Sequence, residues 1–448
     1  MKKLMISLFL ISVSALSQTY IGKASEDSLV QTEGLKVSGR LLGVPEGQNL
    51  SLFRVTLLPR SLGIKIVNAS VNSDGSFEVS NVPPGSYGIQ AQFPPFTMKQ
   101  PVTIEVSDHD VSGIELVLMD TEAFTRLEGL EKVWSLNGRW NGLVGDESRG
   151  VVFASSPQGA AEIDSTGKIV GQFSLPYAGI LRLAHFSGDG EPQLLTFGTW
   201  TPSVKAYNLQ GTLLWTYPPE NGSTRLTGID DVWPIDIDGD RSDEVIIGFN
   251  GATGLHILNS QGQLIWSTAG IGNVWHVSGG DVLGNGQTQV VTTSAVGQIH
   301  VFSPDGKTRQ NINPGFYATM VRVARPSNDP AAALILATGS AANAPAIKET
   351  AIAALTGDGA KRWSITLEGD GPSVYSASVA PGKPWLALGM QSGQIYVVDI
   401  ERGTVIGQGD GQGVMPDVNW VVKKEFQIPL LVVSARNQLN AFRVAESR

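Results

Sequence analysis

Between Lys36 and Leu118, polar and apolar side chains alternate in six runs: Lys36–Leu42, Val55–Pro59, Ser76–Val79, Tyr87–Gln92, Thr103–Val106 and Gly113–Leu118. A period of two puts one face of a strand into a core, and closely spaced runs of this kind predict an antiparallel β-sandwich over 35–119. From 122 to 445 a second pattern takes over. A bulky residue opens a strand, a loop follows, and then comes a continuous apolar run such as Val151–Ala154, Leu194–Phe197, Val245–Gly248, Val290–Thr293, Leu334–Ala337, Leu386–Gly389 or Leu430–Ser434. The opening residues are Trp134, Arg182, Trp233, Trp275, Arg322, Tyr375 and Trp420, spaced 42 to 53 apart. That period is the signature of four-stranded repeat units.

In six of the seven units a third run leads into a hairpin turn with Gly second, at Gly167, Gly211, Gly262, Gly306, Gly359 and Gly403. In three units a Trp follows four residues later: Trp215, Trp266 and Trp363. Gly tolerates the left-handed turn, and a Trp on the outer strand is placed to cover the next unit. The seventh unit ends at Leu439–Val444, one strand short. Ala123–Gly129 reads like Trp363–Gly369, so residues 122–128 are expected to complete the last blade and leave no open edge. The expected fold is all-β: an N-terminal β-sandwich followed by a seven-bladed β-propeller over 122–445.

Composition narrows the setting. Lys2 and Lys3 precede the apolar stretch Leu4–Leu16, which is short for a membrane span and reads as a signal peptide over 1–17. A polar linker, 18–34, follows. This predicts a secreted or periplasmic protein with no membrane span after cleavage. The net charge of −9 and the lack of a basic run argue against nucleic-acid binding. Cys is absent, so no disulfide holds the fold.

The densest chemistry is the run Asp236-Ile-Asp-Gly-Asp-Arg-Ser-Asp-Glu244. Carboxylates at its first, third, fifth and ninth positions, with Gly239 for the turn, suit Ca²⁺, which takes six to eight oxygen ligands. Asp236, Asp238, Asp240 and Glu244 are the expected side-chain ligands, with Asp243 as alternate and Ser242 as a carbonyl donor. This loop, Asp236 through Gly248, resembles the calcium loops of FG-GAP repeats in integrin-α-like propellers, and the resemblance implies a structural ion. The turn-plus-Trp pattern is similar to the repeats of quinoprotein propellers, although the adjacent cysteines many of those carry are missing. The run Asn72-Ser-Asp-Gly-Ser-Phe77 followed by Asn81-Val-Pro-Pro-Gly-Ser-Tyr87 resembles carboxypeptidase regulatory-like, transthyretin-like sandwich domains, which implies a structural or adhesive module.

Catalytic patterns are lacking. His109, His185, His256, His276 and His300 have no metal-ligand spacing, and no Gly-x-Ser-x-Gly elbow occurs. Asp230, Asp231 and Asp417 are the acids nearest the strand openings. The seven opening residues form a ring in a closed propeller, flanked by Trp200, Phe316, Tyr317, the insertion 339–350 and Arg436. That ring either binds a ligand or wedges the units together. The leading expectation is a secreted, non-enzymatic protein whose propeller mouth recognises an extracellular or periplasmic protein or glycan. The alternatives are a polysaccharide lyase or hydrolase and an envelope assembly scaffold. Oligomeric state is left open.

Overall fold

A computed structural model describes residues 34–44, 50–61, 64–92, 96–120, 124–157, 159–175, 179–188, 190–219, 226–326, 333–341, 349–368, 374–411, 415–423, 428–435 and 438–445. The expected signal peptide, Arg436 and most of the 339–350 insertion lie outside these residues. The protein is all-β: apart from a 3-10 turn at Leu50–Leu52, the regular elements among the described residues are strands. Two compact units are present, one built mainly from residues up to 117 and the other from 118 onward.

In the first unit, Leu35–Leu42 lies between Ser76–Val82 and Val111–Asp120. It runs antiparallel to the former and parallel to the latter. A second sheet orders Val67–Ser70, Arg54–Pro59, Gly85–Gln92 and Val102–Val106. The alternation in sequence becomes alternation in burial: Val37, Phe77 and Val79 of one sheet and Val55, Leu57, Tyr87 and Ile89 of the other are buried. The Asp74-Gly75 turn has Gly75 at φ +84, and the Tyr87 hydroxyl donates to Pro83 O at 2.8 Å.

The second unit contains seven antiparallel sheets in succession. Their first strands are Asn141–Asp146, Ile180–Ala184, Ile229–Ile235, Val277–Gly280, Tyr317–Ala324, Val374–Val379 and Asp417–Lys423. Each first strand packs against the first strand of the next sheet, and that of sheet seven packs against that of sheet one. Second strands are buried throughout, as in Glu244–Phe249, which explains their unbroken apolar runs. Apolar side chains from neighbouring sheets mesh: Phe197 and Tyr217 of sheet two share a core with Val232 and Phe249 of sheet three.

The closing arrangement differs from the expectation. Thr125–Glu128 adds a fifth strand to sheet six, pairing with Thr404–Asp410. The fourth strand of sheet seven is Leu130–Asn137, paired with Gln438–Val444. Gly129, at φ +64, turns the chain from one sheet to the next, and a Cβ there would lie 2.2 Å from Ile406 O. Leu130 then packs with Phe442 and Val444 in a shared core.

Trp134 therefore stands on an outer strand and not at the opening of a first strand. Its indole Nε1 donates to Ser165 O at 3.0 Å, across the Gly167 turn of sheet one. Trp215, Trp266 and Trp363 do the same to Ser260 O, Pro304 O and Ile400 O at 3.0, 2.9 and 2.6 Å. Each lies over the turn glycine of the next sheet, where a Cβ would come within 2.6 to 2.8 Å of an indole atom. These glycines are thus required twice, for φ between +65 and +85 and for the ring above them.

Candidate functional site

Register identifies which residues share the innermost position. The rows ending in outer tryptophans run Arg182–Leu195–Ala206–Trp215, Trp233–Ile246–Ile257–Trp266 and Arg322–Leu336–Ala354–Trp363. In the other sheets the same row begins at Val144, Ser278, Ser378 and Asn419, the last running Asn419–Val432–Ala441–Trp134. Three of the seven expected ring residues, Arg182, Trp233 and Arg322, thus occupy equivalent places, whereas Trp420 lies one residue past its row. Trp275 precedes the strand Val277–Gly280 and packs on Tyr317, with ring centroids 5.6 Å apart. Tyr375 lies three residues before its row and is 44% exposed.

The polar atoms of the innermost side chains are directed at neighbouring sheets. Arg182 donates from Nε to Val232 O and from Nη2 to Asp231 Oδ1, at 2.9 and 2.8 Å. Arg322 donates to Ala377 O of sheet six at 3.0 Å. It lies 3.5 Å from Asp231 Oδ2. Trp233 has Arg182 and Arg322 guanidinium carbons 5.8 and 4.8 Å from its ring centre. Asn419 donates from Nδ2 to Leu143 O of sheet one at 3.1 Å, and the adjoining Trp420 is buried and donates to Ser378 O.

Two aspartates, Asp231 buried and Asp417 half-buried, complete the network. Asp231 of sheet three meets Arg182 of sheet two, His276 Nδ1 (3.1 Å) and Val277 N (3.3 Å) of sheet four, and Arg322 of sheet five. Asp417 of sheet seven accepts from Ser376 Oγ of sheet six at 2.5 Å and from Leu143 N of sheet one at 2.6 Å. Between them they touch all seven sheets. Burial opposes ionisation of Asp231, but Arg182, the His276 hydrogen bond and Arg322 hold its pKa well below the usual carboxylate range. Burial brings Arg322 down to about 10. With their oxygens engaged in this way, Asp231 and Asp417 act as fasteners between strands.

In each antiparallel sheet, the loop joining strands two and three emerges at the same end as the connection to the next sheet. Trp200, Tyr375 and Met415, with exposures of 63, 44 and 54%, lie at this end, as do Trp275 and Tyr317. Trp200 occupies the third position of the turn Gly198–Thr201, whose Thr201 N donates to Gly198 O, and has φ +63. Turns of this form favour Gly or Asn there, and an L-residue is strained by about 1–2 kcal/mol. The conformation is enforced from outside: Trp200 N donates to Ile229 O at 2.7 Å, and Ile229 N donates to Thr201 O at 2.9 Å. A Cβ on Gly228 would come within 2.6 Å of Trp200 Cα.

Beside this turn, Asp230 is half-buried. Its pKa is pushed up to about 6 by burial, against hydrogen bonding from Asn250 and the Trp200 side chain. Asn250 Nδ2 donates to Asp230 Oδ2 at 3.3 Å. The sequence places Trp200 in a loop flanking the expected mouth but carries no sign of its positive φ.

The opposite end carries the acidic loop. Asp236, Asp238 and Glu244 each place a carboxylate oxygen within 4.8 Å of the others. Loop amides already hold the acids in place: Gly239 N and Arg241 N donate to Asp236, Asp240 N to Asp238 and Ile237 N to Glu244. Asp240 adds its charge nearby, and Ser242 N donates to its Oδ1. Glu244 is pushed up to about 7 by burial and by the charges of Asp238, Asp240 and Asp236. Asp243 points elsewhere: its carboxylate accepts from His185 N at 2.7 Å and so ties this loop to sheet two. The donor set fits a hard divalent cation, since crowded carboxylates with Gly239 at φ +87 suit oxygen ligation.

No protein-family model matches the chain, and no curated protein matches it.

Proposed function

We propose that this chain is a secreted, non-enzymatic binding protein whose second unit closes as a seven-bladed propeller. The first unit is a sandwich module of the transthyretin-like type, serving as spacer or second contact. The succession of first strands and the docking of Trp134 on the Gly167 turn support closure. The ligand end is the one bearing Trp200, Tyr375 and Trp275, and its occupant is an extracellular or periplasmic protein or glycan. The observation that carries this reading is the exposure of Trp200 and Tyr375 at one end, with the innermost arginines committed to inter-sheet bonds. Large exposed aromatics suit an occupant that covers them.

The engagement of Asp231 and Asp417 weighs against a lyase or hydrolase, since such chemistry needs a pair of available acids. At the other end, Asp236, Asp238 and Glu244, assisted by Asp240, would hold one structural Ca²⁺. It would neutralise the loop and stiffen the hairpin between the first two strands of sheet three.

The purified chain should bind on an array of glycans and cell-envelope components, and Tyr375→Ala, which removes a 44% exposed ring, should weaken that binding while leaving the melting curve intact. An array with no binding to the wild type would reject the reading.

A further inference from the structure

We propose that Trp200, Asp230 and Asn250 form a subsite for a neutral pyranose ring, with the indole as stacking platform and the two polar side chains taking the ring's hydroxyls. This rests on the binding-protein reading above and names its ligand class.

Three observations converge. Trp200 is 63% exposed at φ +63, a conformation that a Trp adopts at a cost and that the bonds to Ile229 and Thr201 enforce. Strain retained at an exposed aromatic points to a role for its presentation. The indole lies beside Asp230 and leaves a face to solvent. The surroundings are polar: Asn250 Nδ2 meets Asp230 Oδ2 at 3.3 Å, Asn250 N donates to Gly228 O, and Thr227 Oγ1 donates to Thr253 Oγ1 at 2.6 Å.

An apolar platform beside a carboxylate and a carboxamide matches the two sides of a pyranose, whose C–H face stacks while its hydroxyls donate and accept. A pocket for an apolar peptide side chain would need apolar walls, which Thr227, Asn250 and Thr253 do not supply. The adjacent acid disfavours uronates and other anionic sugars.

The test compares wild type, Trp200→Gly, Trp200→Phe and Asp230→Asn by calorimetric titration with neutral oligosaccharides (β-glucans, mannans and xylans) and by tryptophan fluorescence. The expected result is that a neutral oligosaccharide binds the wild type and perturbs its fluorescence. Trp200→Gly should lose at least tenfold in affinity and the fluorescence change, while melting no lower than wild type. Trp200→Phe should recover part of the affinity, and Asp230→Asn should lose severalfold. Oligosaccharide binding by Trp200→Gly within twofold of wild type would overturn the subsite and leave the binding-protein reading standing. Wild-type binding confined to peptides, proteins or anionic glycans would overturn it likewise. A wild type that captures none of these ligands would overturn the subsite and the broader reading together.

Discussion

Asp231 sits among Arg182, Arg322 and His276, whereas Asp230, one residue earlier, meets Asn250 and the Trp200 indole, and the two carboxyls respond to pH in opposite senses. The folded pKa of Asp231 lies below the value near 3.9 of an unfolded chain. Its contribution is therefore present above about pH 4 and is lost as pH falls through the acid range. Asp231→Ala should cost about 3–5 kcal/mol, because the buried Arg322 and the partly buried Arg182 lose their counterion. Chemical denaturation at neutral pH checks this. Asp230 has its folded pKa raised to about 6, so ionising it weakens the fold as pH rises from about 4 to above 6. Asp230→Asn should therefore raise the melting temperature at pH 7.5 and leave it nearly unchanged at pH 4, and an equal shift at both would remove burial as the cause.

The outer-strand tryptophans and the turn glycines beneath them form the repeating joint of the second unit. Gly262→Ala should destabilise by about 2 kcal/mol or more, since φ +76 is strained for alanine and the new methyl would come within 2.6 Å of the Trp215 indole. Thermal melting reads this directly. In the acidic hairpin, a chelator should lower the wild-type melting temperature but not that of Asp238→Ala, and equal shifts in both would reject a structural ion. Much of this level was legible in the sequence, because a turn glycine and a Trp four residues later are local features with a local cause. The innermost positions were less so. Ser278 and Ser378 hold the same place as Trp233, and only hydrogen-bonded register reveals the equivalence. Trp275 and Tyr375 are bulky and close to strand openings, so the sequence alone aligned them with the row they adjoin. The positive φ of Trp200 is imposed by Ile229, a neighbour distant in sequence, and so leaves no mark on Trp200 itself.

At the scale of the second unit, sheet seven joins the two ends of the repeat region: Leu130–Asn137 pairs with Gln438–Val444, and Ser135 Oγ meets Asn440 Oδ1 at 2.9 Å. If the sheets form a closed ring, Trp134→Ala should cost about as much as Trp215→Ala and preserve a single unfolding transition. A milder, local loss would favour an open arc. Sequence similarity located the right neighbourhood for this junction, but Thr125–Glu128 and Leu130–Asn137 are consecutive strands, and Gly129 decides which sheet each one joins. The register has a mechanical consequence. Leu130 faces Val444 and Asn137 faces Gln438, so the incoming and outgoing chain meet at the same end of the pair. Tension applied through both would first act on the pairing of Thr125–Glu128 with sheet six and then load the ladder one rung at a time, from Leu130 and Val444 inward, instead of shearing all rungs together. Under pulling, sheet seven should behave as a zipper that yields at low force and, once parted, frees the flanking sheets to unravel.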